Sequence, residues 1–493
     1  MCCPRPRMAR LDPNPARPPT RARSAALTRA GLVALALACA FGASATAAAQ
    51  GDIEWSQFQG GPGHLGTIAE APAPPYRERW RFSPPEGALS GAVLTRELAI
   101  AVGREAVYGI DLVSGEQVWT IPRGGGPLST PALALLEGRT VLVYLDGPPS
   151  PQAGPSPGPS PRPEAASELV AVDLADRSEL WRTPLREVSR SGVTVEGGRA
   201  YVGDDAGGVY AVDLASGRIS WTAEAVGRVE SPPAVSEGMV YVASRNVEER
   251  RAQVLALDAV TGERRWTFAP ASGAVVLSAL ATADGQVVLG GGDQLVRGLG
   301  AADGSPRWHT IALNLFSPLS APAYRPGEVF IADAAGGLYR VNAADGERDW
   351  DHQTNELIVR SSPVVIGAHV VVGLGDGRLA AFDASDGDLV YRSAASPGVL
   401  GELALSRAAV VATKGGGEPG LVAFEHDPEA SLVQVPSPTI PVPGRLLGWF
   451  ALAAAIVGAA ILVPFRLLGP RFGPAFAHEA DLPEDLEPEE DAP

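Results

Sequence analysis

One short pattern returns about every 40 residues through the middle of this chain, and it leaves few folds open. A turn-forming or small residue is followed eight positions later by a large aromatic. The pairs are Asp111 and Trp119, Asp173 and Trp181, Asp213 and Trp221, Asp258 and Trp266, Gly300 and Trp308, Asn342 and Trp350, and Asp383 and Tyr391. Glycine stands four places after the first member at Gly115, Gly217, Gly262, Gly304, Gly346 and Gly387, and only Arg177 departs. The residues before each pair alternate in apolar and small types, as in Val209-Tyr210-Ala211-Val212, the signature of a half-buried strand. The Asp or Asn carboxyl or amide starts a turn by accepting backbone amides ahead of it. The glycine supplies the left-handed conformation that closes the hairpin. The returning strand then carries the aromatic, which packs against a neighbour.

Two further strand-like runs precede each hairpin, for example Ser231 to Val235 and Met239 to Ala243, or Ser361 to Val365 and Val370 to Gly373. The same layout opens at Ser129-Thr130-Pro131 and at Ser317 to Pro322. Four strands per repeat predict a β-propeller blade. The last hairpin, beginning at Leu421, lacks its aromatic strand, whereas Tyr76 to Phe82, with Trp80, is an orphan aromatic strand at the start. Joining the two completes an eighth blade and removes the open sheet edges that invite aggregation. The expectation is an all-β, eight-bladed β-propeller over 76–427, closed by an N-terminal strand. Trp80, Trp119, Trp181, Trp221, Trp266, Trp308, Trp350 and Tyr391 are its structural aromatics, and Asp111, Asp173, Asp213, Asp258, Asn342 and Asp383 its turn formers.

The flanks predict export and anchoring. Seven arginines, Arg5 to Arg29, precede the apolar run Leu32 to Phe41 and the small residues Ala47-Ala48-Ala49, the layout of a signal peptide over 1–49. Residues 50–75 form an N-terminal latch, 428–444 a Pro-rich linker, 445–467 a single transmembrane helix and 468–493 an acidic tail. Leu446 to Phe465 carries no charge and is long enough to cross a hydrocarbon core of about 30 Å. Arg466 and Arg471 follow it, which predicts a cytoplasmic tail and a propeller outside the cytoplasm, held at the inner membrane.

Composition narrows the function. The formal net charge is −16, which argues against nucleic acid as a partner because phosphate binding needs a basic footprint. The three cysteines, Cys2, Cys3 and Cys39, all lie in the segment expected to be removed, so no disulfide framework or Cys-based metal site is predicted. The six histidines show no ligand spacing, and the Asp-Gly pairs, such as Asp345-Gly346, lack the rest of a calcium loop. No catalytic, cofactor-binding or metal residue is therefore assigned.

The repeats resemble the pyrroloquinoline-quinone-like propeller family across 76–426. Trp55, Phe58, Gly60, His64 and Gly66 resemble an opening motif of that family. The family includes quinoprotein dehydrogenases and the propeller lipoprotein of the outer-membrane β-barrel assembly machinery, and the overall size resembles the second. A quinone-dependent oxidoreductase would, on this resemblance, carry a calcium site, a carboxylate base and often adjacent cysteines over the cofactor. The only adjacent pair here is Cys2 and Cys3, ahead of the signal core. The reading is a non-catalytic scaffold that binds envelope or exported proteins. A quinoprotein oxidoreductase and a carbohydrate or cell-wall binding module are the alternatives. Strand order places the Pro-, Ser- and Gly-rich insertion 147–163 and the charged loop 244–251 on the same face as the blade connectors, which is the predicted binding face.

Overall fold

The computed structural model describes residues 52–68, 70–147, 166–246, 248–270, 277–312 and 320–432. The expected signal peptide, most of the Pro-rich insertion, the body of the linker, the apolar run 445–467 and the acidic tail lie outside these residues. Among the described residues no helix is long and apolar enough to cross a membrane.

The described chain is an eight-bladed β-propeller. Seven blades are four-stranded meanders in chain order. Blade 1 covers Val93 to Pro122, blade 2 Ala132 to Pro184, blade 3 Thr194 to Glu224, blade 4 Ala234 to Phe268, blade 5 Ala281 to Ile311, blade 6 Ala323 to Gln353 and blade 7 Val364 to Arg392. Blade 8 takes its three inner strands from Val399–Leu405, Val410–Gly415 and Gly420–His426, and its outer strand from Tyr76–Phe82. That outer strand pairs antiparallel with the last strand, Tyr76 opposite His426 and Phe82 opposite Leu421. The ring is thus closed by backbone hydrogen bonds between the two ends of the repeat region, and the last strand of blade 8 is not left with an open outer edge.

The repeat's chemistry explains how blades adhere. In six joints the indole Nε1 of one blade's tryptophan donates to a carbonyl on the next blade, always that of the residue following the turn former. Trp80 donates to Leu112 O at 2.9 Å, Trp181 to Leu214 O at 2.8 Å and Trp221 to Ala259 O at 3.1 Å. Trp266, Trp308 and Trp350 reach Ala301, Ala343 and Ala384 at 2.8–3.1 Å. Each of these indoles lies flat on the glycine of the next blade's turn. A Cβ on Gly262 would stand 2.6 Å from the Trp221 ring, and its φ is +72°, so both space and conformation require glycine. At the joint between blades 1 and 2, Arg177 takes the glycine's place at φ +63°, and Trp119 is only half-buried. Tyr391 replaces the tryptophan in blade 7 and donates from its hydroxyl to Tyr76 O across the seam. In the turns that begin with Asp the carboxylate accepts the amides ahead of it, as Asp258 does from Val260 and Thr261.

A second device recurs in five of the meanders. A serine ahead of the innermost strand accepts the amide twelve residues on: Ser90 from Val102, Ser191 from Gly203, Ser278 from Gly290, Ser320 from Ala332 and Ser361 from Gly373. These serines tie each connector to the second strand of its blade and fix the walls of the central channel.

Candidate functional site

The innermost strands surround a central channel, and each presents backbone amides on its channel edge with no neighbouring strand to take them. Unpaired amides in such a place are costly. The N-terminal segment supplies the acceptors. Its first strand, β1 (Ile53–Trp55), pairs with the inner strand of blade 1, and a two-residue strand, β2 (Thr67–Ile68), pairs with that of blade 7. Between them Ser56 O accepts from Leu133, Pro62 O from Val235, Gly63 O from Thr282, Leu65 O from Tyr324 and Gly66 O from Val365, at 2.6–2.8 Å. The Gln57 side chain serves blade 3, where its Oε1 accepts the Val195 amide at 2.7 Å. Blade 8 is reached by Glu54, which accepts the Arg407 amide at 2.9 Å. One segment therefore touches all eight blades and plugs the channel.

The residues of the opening motif each have a place in this plug. Trp55 is buried, and Gly60, at φ +84°, lies against its ring so closely that a Cβ would stand 2.8 Å away. His64 is fully buried. Its Nδ1 faces the Leu280 carbonyl at 3.0 Å and must carry the proton, so Nε2 accepts from the Thr194 hydroxyl at 3.3 Å. Phe58 meets the His64 ring edge-on. Burial pushes the imidazole down to about 4, opposed by its backbone hydrogen bond, so it is neutral over the ordinary pH range.

The plug leaves a cavity at either end. On the face of the strand-one to strand-two turns, about 670 Å³ lies between Gly60, Leu65, Glu196, Arg199 and Glu237. On the connector face a cavity of about 350 Å³ is floored by Phe58 and walled by residues of blades 1, 2, 3, 4, 7 and 8 and their connectors. The positions following the recurrent serine line it: Gly91, Thr130 and Gly192, with Pro232 after Ser231. In blade 8 the pair is Gly401-Glu402, so this ring carries one carboxylate among small and neutral residues. Glu402 is enclosed by protein on its flanks but keeps part of its surface on the cavity. Thr130 donates to its Oε2 at 3.0 Å, and burial raises its carboxyl above the usual range in spite of that bond. Sequence reasoning passed over Glu402, although a charged residue in that repeat position was the available signal.

The strand ends that frame both expected loops lie on the connector face. The hairpin of blade 4 is extended, with eight-residue strands Met239–Asn246 and Arg251–Asp258, and Asn246 pairs with Arg251 at its tip. Its Arg245 forms a two-point ion pair with Glu230 on the preceding connector, at 2.6 and 2.9 Å. In blade 2 the strands Arg139–Asp146 and Glu168–Asp173 lead into the insertion on the same side, and Asp146 is held between Arg182 at 3.0 Å and buried Arg123 at 3.7 Å. Leu128, Leu357 and Val359 are exposed on this face.

Plug residues Trp55 to Gly66 fill the channel axis, and among the described residues no group of three or more His, Cys, Asp or Glu could hold a metal ion. The residues present do not fit a quinone with its calcium ion. Among the described residues every Phe, Trp and Tyr is buried or half-buried.

A family model described as outer membrane protein assembly factor BamB matches residues 165–314 and 278–415, together more than half of the chain. The chain belongs to this family. It is 27% identical over 290 residues to the outer membrane protein assembly factor BamB of Burkholderia pseudomallei, covering 55% of this chain and 57% of that protein. The chain thus spans little more than half the length of that relative. The crystal structure of BamB from Moraxella catarrhalis superimposes with a TM-score of 0.54 at 16% identity, covering 71% of this chain and all of that one. A quinohemoprotein alcohol dehydrogenase from Pseudomonas putida HK5 gives 0.58 at 13% identity, covering 81% of this chain and 84% of that one, a likeness of fold alone.

Proposed function

We propose that this protein is a non-catalytic scaffold that binds envelope proteins through its connector face, in the assembly of outer-membrane proteins for which its family is named. The observation that carries the reading is the plug. It joins all eight blades into one rigid ring and fills the axis where a cofactor would lie, so variable chemistry is left to the connectors and the protruding hairpin. The uncharged run 446–465 would tether the propeller to the inner membrane, and the signal-like segment 1–49 would place it outside the cytoplasm.

Photo-crosslinking residues placed singly at Leu128, Glu249 and Val359, and at Val113 and Val260 on the opposite face, test this in native membranes. The reading predicts adducts with envelope proteins from the first set only, weakened when residues 148–163 are deleted. Adducts from the opposite face alone, or a stoichiometric quinone without a protein adduct, would overturn it.

A further inference from the structure

We infer that the cavity at the connector end of the channel is a binding site for a ligand headed by a primary ammonium group, with Glu402 as its anionic anchor. This deepens the reading above, and it rests on the connector face being the binding face.

The repeat itself makes the first argument. At the position after the recurrent serine, seven blades place Gly91, Thr130, Gly192, Pro232, Ala279, Ala321 and Ser362, and the eighth places Glu402. A carboxyl is costly to bury, and a small neutral residue serves at every other joint, so the ring does not need one for closure. Gly91 is fitted to the carboxyl: a Cβ there would clash with Glu402 Oε2.

The second argument is the carboxyl's surroundings. Thr130 occupies Oε2, and among the described residues no cation lies within ion-pair distance of Glu402. Its close neighbours Trp55, Phe58, Gln59, Ala92, Ser362 and Leu403 come from the plug and from blades 1, 7 and 8, and none is charged. Of the charged residues on the cavity wall, Arg190 is paired with Asp205 and Glu230 with Arg245. Arg360 is exposed at the rim. The carboxyl therefore faces the cavity with its charge unanswered from within. An ammonium group brings three donors and a compact charge, which suits a single carboxylate at the end of a narrow space better than the planar fork of a guanidinium. A cavity of about 350 Å³ accommodates an aliphatic amine or one lysine side chain.

The same chemistry has two sources, a free amine or a lysine on a bound protein, and one titration separates them. The full chain in detergent is titrated by calorimetry or ligand-observed NMR with n-butylammonium, with butanol, and with a lysine-centred tripeptide blocked at both ends. Butylammonium should bind and butanol should not. Glu402→Gln keeps an acceptor for Thr130 and should weaken butylammonium by roughly 30-fold or more while circular dichroism stays that of the parent, and Glu116→Gln on the opposite face should change nothing. Binding should also fade as acid protonates Glu402, at a pH above the usual carboxylate range because the group is buried. If the blocked peptide binds as well, the source is a partner's lysine; if it is excluded, the source is a free amine. Equal binding by parent and Glu402→Gln, or by butanol and butylammonium, overturns the proposal. The titration needs no protein partner, so its failure would leave the cross-linking test of the scaffold untouched.

Discussion

Acidification should loosen this propeller from its centre through His64. The buried imidazole is pushed down to about 4, whereas in the unfolded chain it titrates near its ordinary value of about 6.5. Between those values the unfolded chain binds the proton and the folded chain does not. The neutral ring's contribution is therefore complete above about pH 6.5, is lost as the pH falls, and levels off below about pH 4. Integrating the two titrations gives a loss of about 2 kcal/mol at pH 5 and about 3 kcal/mol at pH 4 from this group alone. The assay is urea denaturation of the parent and of His64→Gln from pH 7.5 to pH 4.5, followed by tryptophan fluorescence. Gln does not titrate, and its amide can still donate to the Leu280 carbonyl. Carboxylates common to both proteins cancel in the difference. The parent should be the more stable at pH 7.5, and its advantage should shrink by about 2 kcal/mol at pH 5. If the two curves run parallel with pH, the imidazole is not held neutral by the plug and the reasoning fails.

The blade joints and the seam make further measurable claims. Gly262→Ala places a Cβ 2.6 Å from the Trp221 ring at a φ of +72°, and should lower stability by about 2–4 kcal/mol in a thermal melt. Trp80→Ala empties the contact between the closing strand and blade 1 and leaves the Leu112 carbonyl without its donor, at a cost of about 3–5 kcal/mol, with amide exchange rising first in Tyr76–Phe82 and Gly420–His426. Val399→Ser, on the inner strand of the same blade and away from that contact, should leave exchange at the seam unchanged.

Much of this architecture was legible because a repeat turns one local rule into a global one. The eight-residue offset between turn former and aromatic, the glycine between them, and the stray strand with Trp80 are local facts, and their sum determines blade number and closure. The joint at Arg177 was visible as the one break in the glycine series, and the half-buried Trp119 beside it is its physical consequence. The plug was only partly legible. Trp55, Phe58, Gly60, His64 and Gly66 marked a motif, but the carbonyls that bind the blades belong to residues such as Ser56 and Pro62, whose backbone role leaves no trace in residue type. Glu402 was missed for a related reason. In sequence it is an acid in an unremarkable strand, and only the circular arrangement of eight blades brings it to the channel beside Thr130, which lies 272 positions away. Local spacing decides hairpins, and hairpins decide blades. Which residues meet on the axis depends on closing the ring, a long-range event that pairs the two ends of the repeat region and that no short window of the chain records.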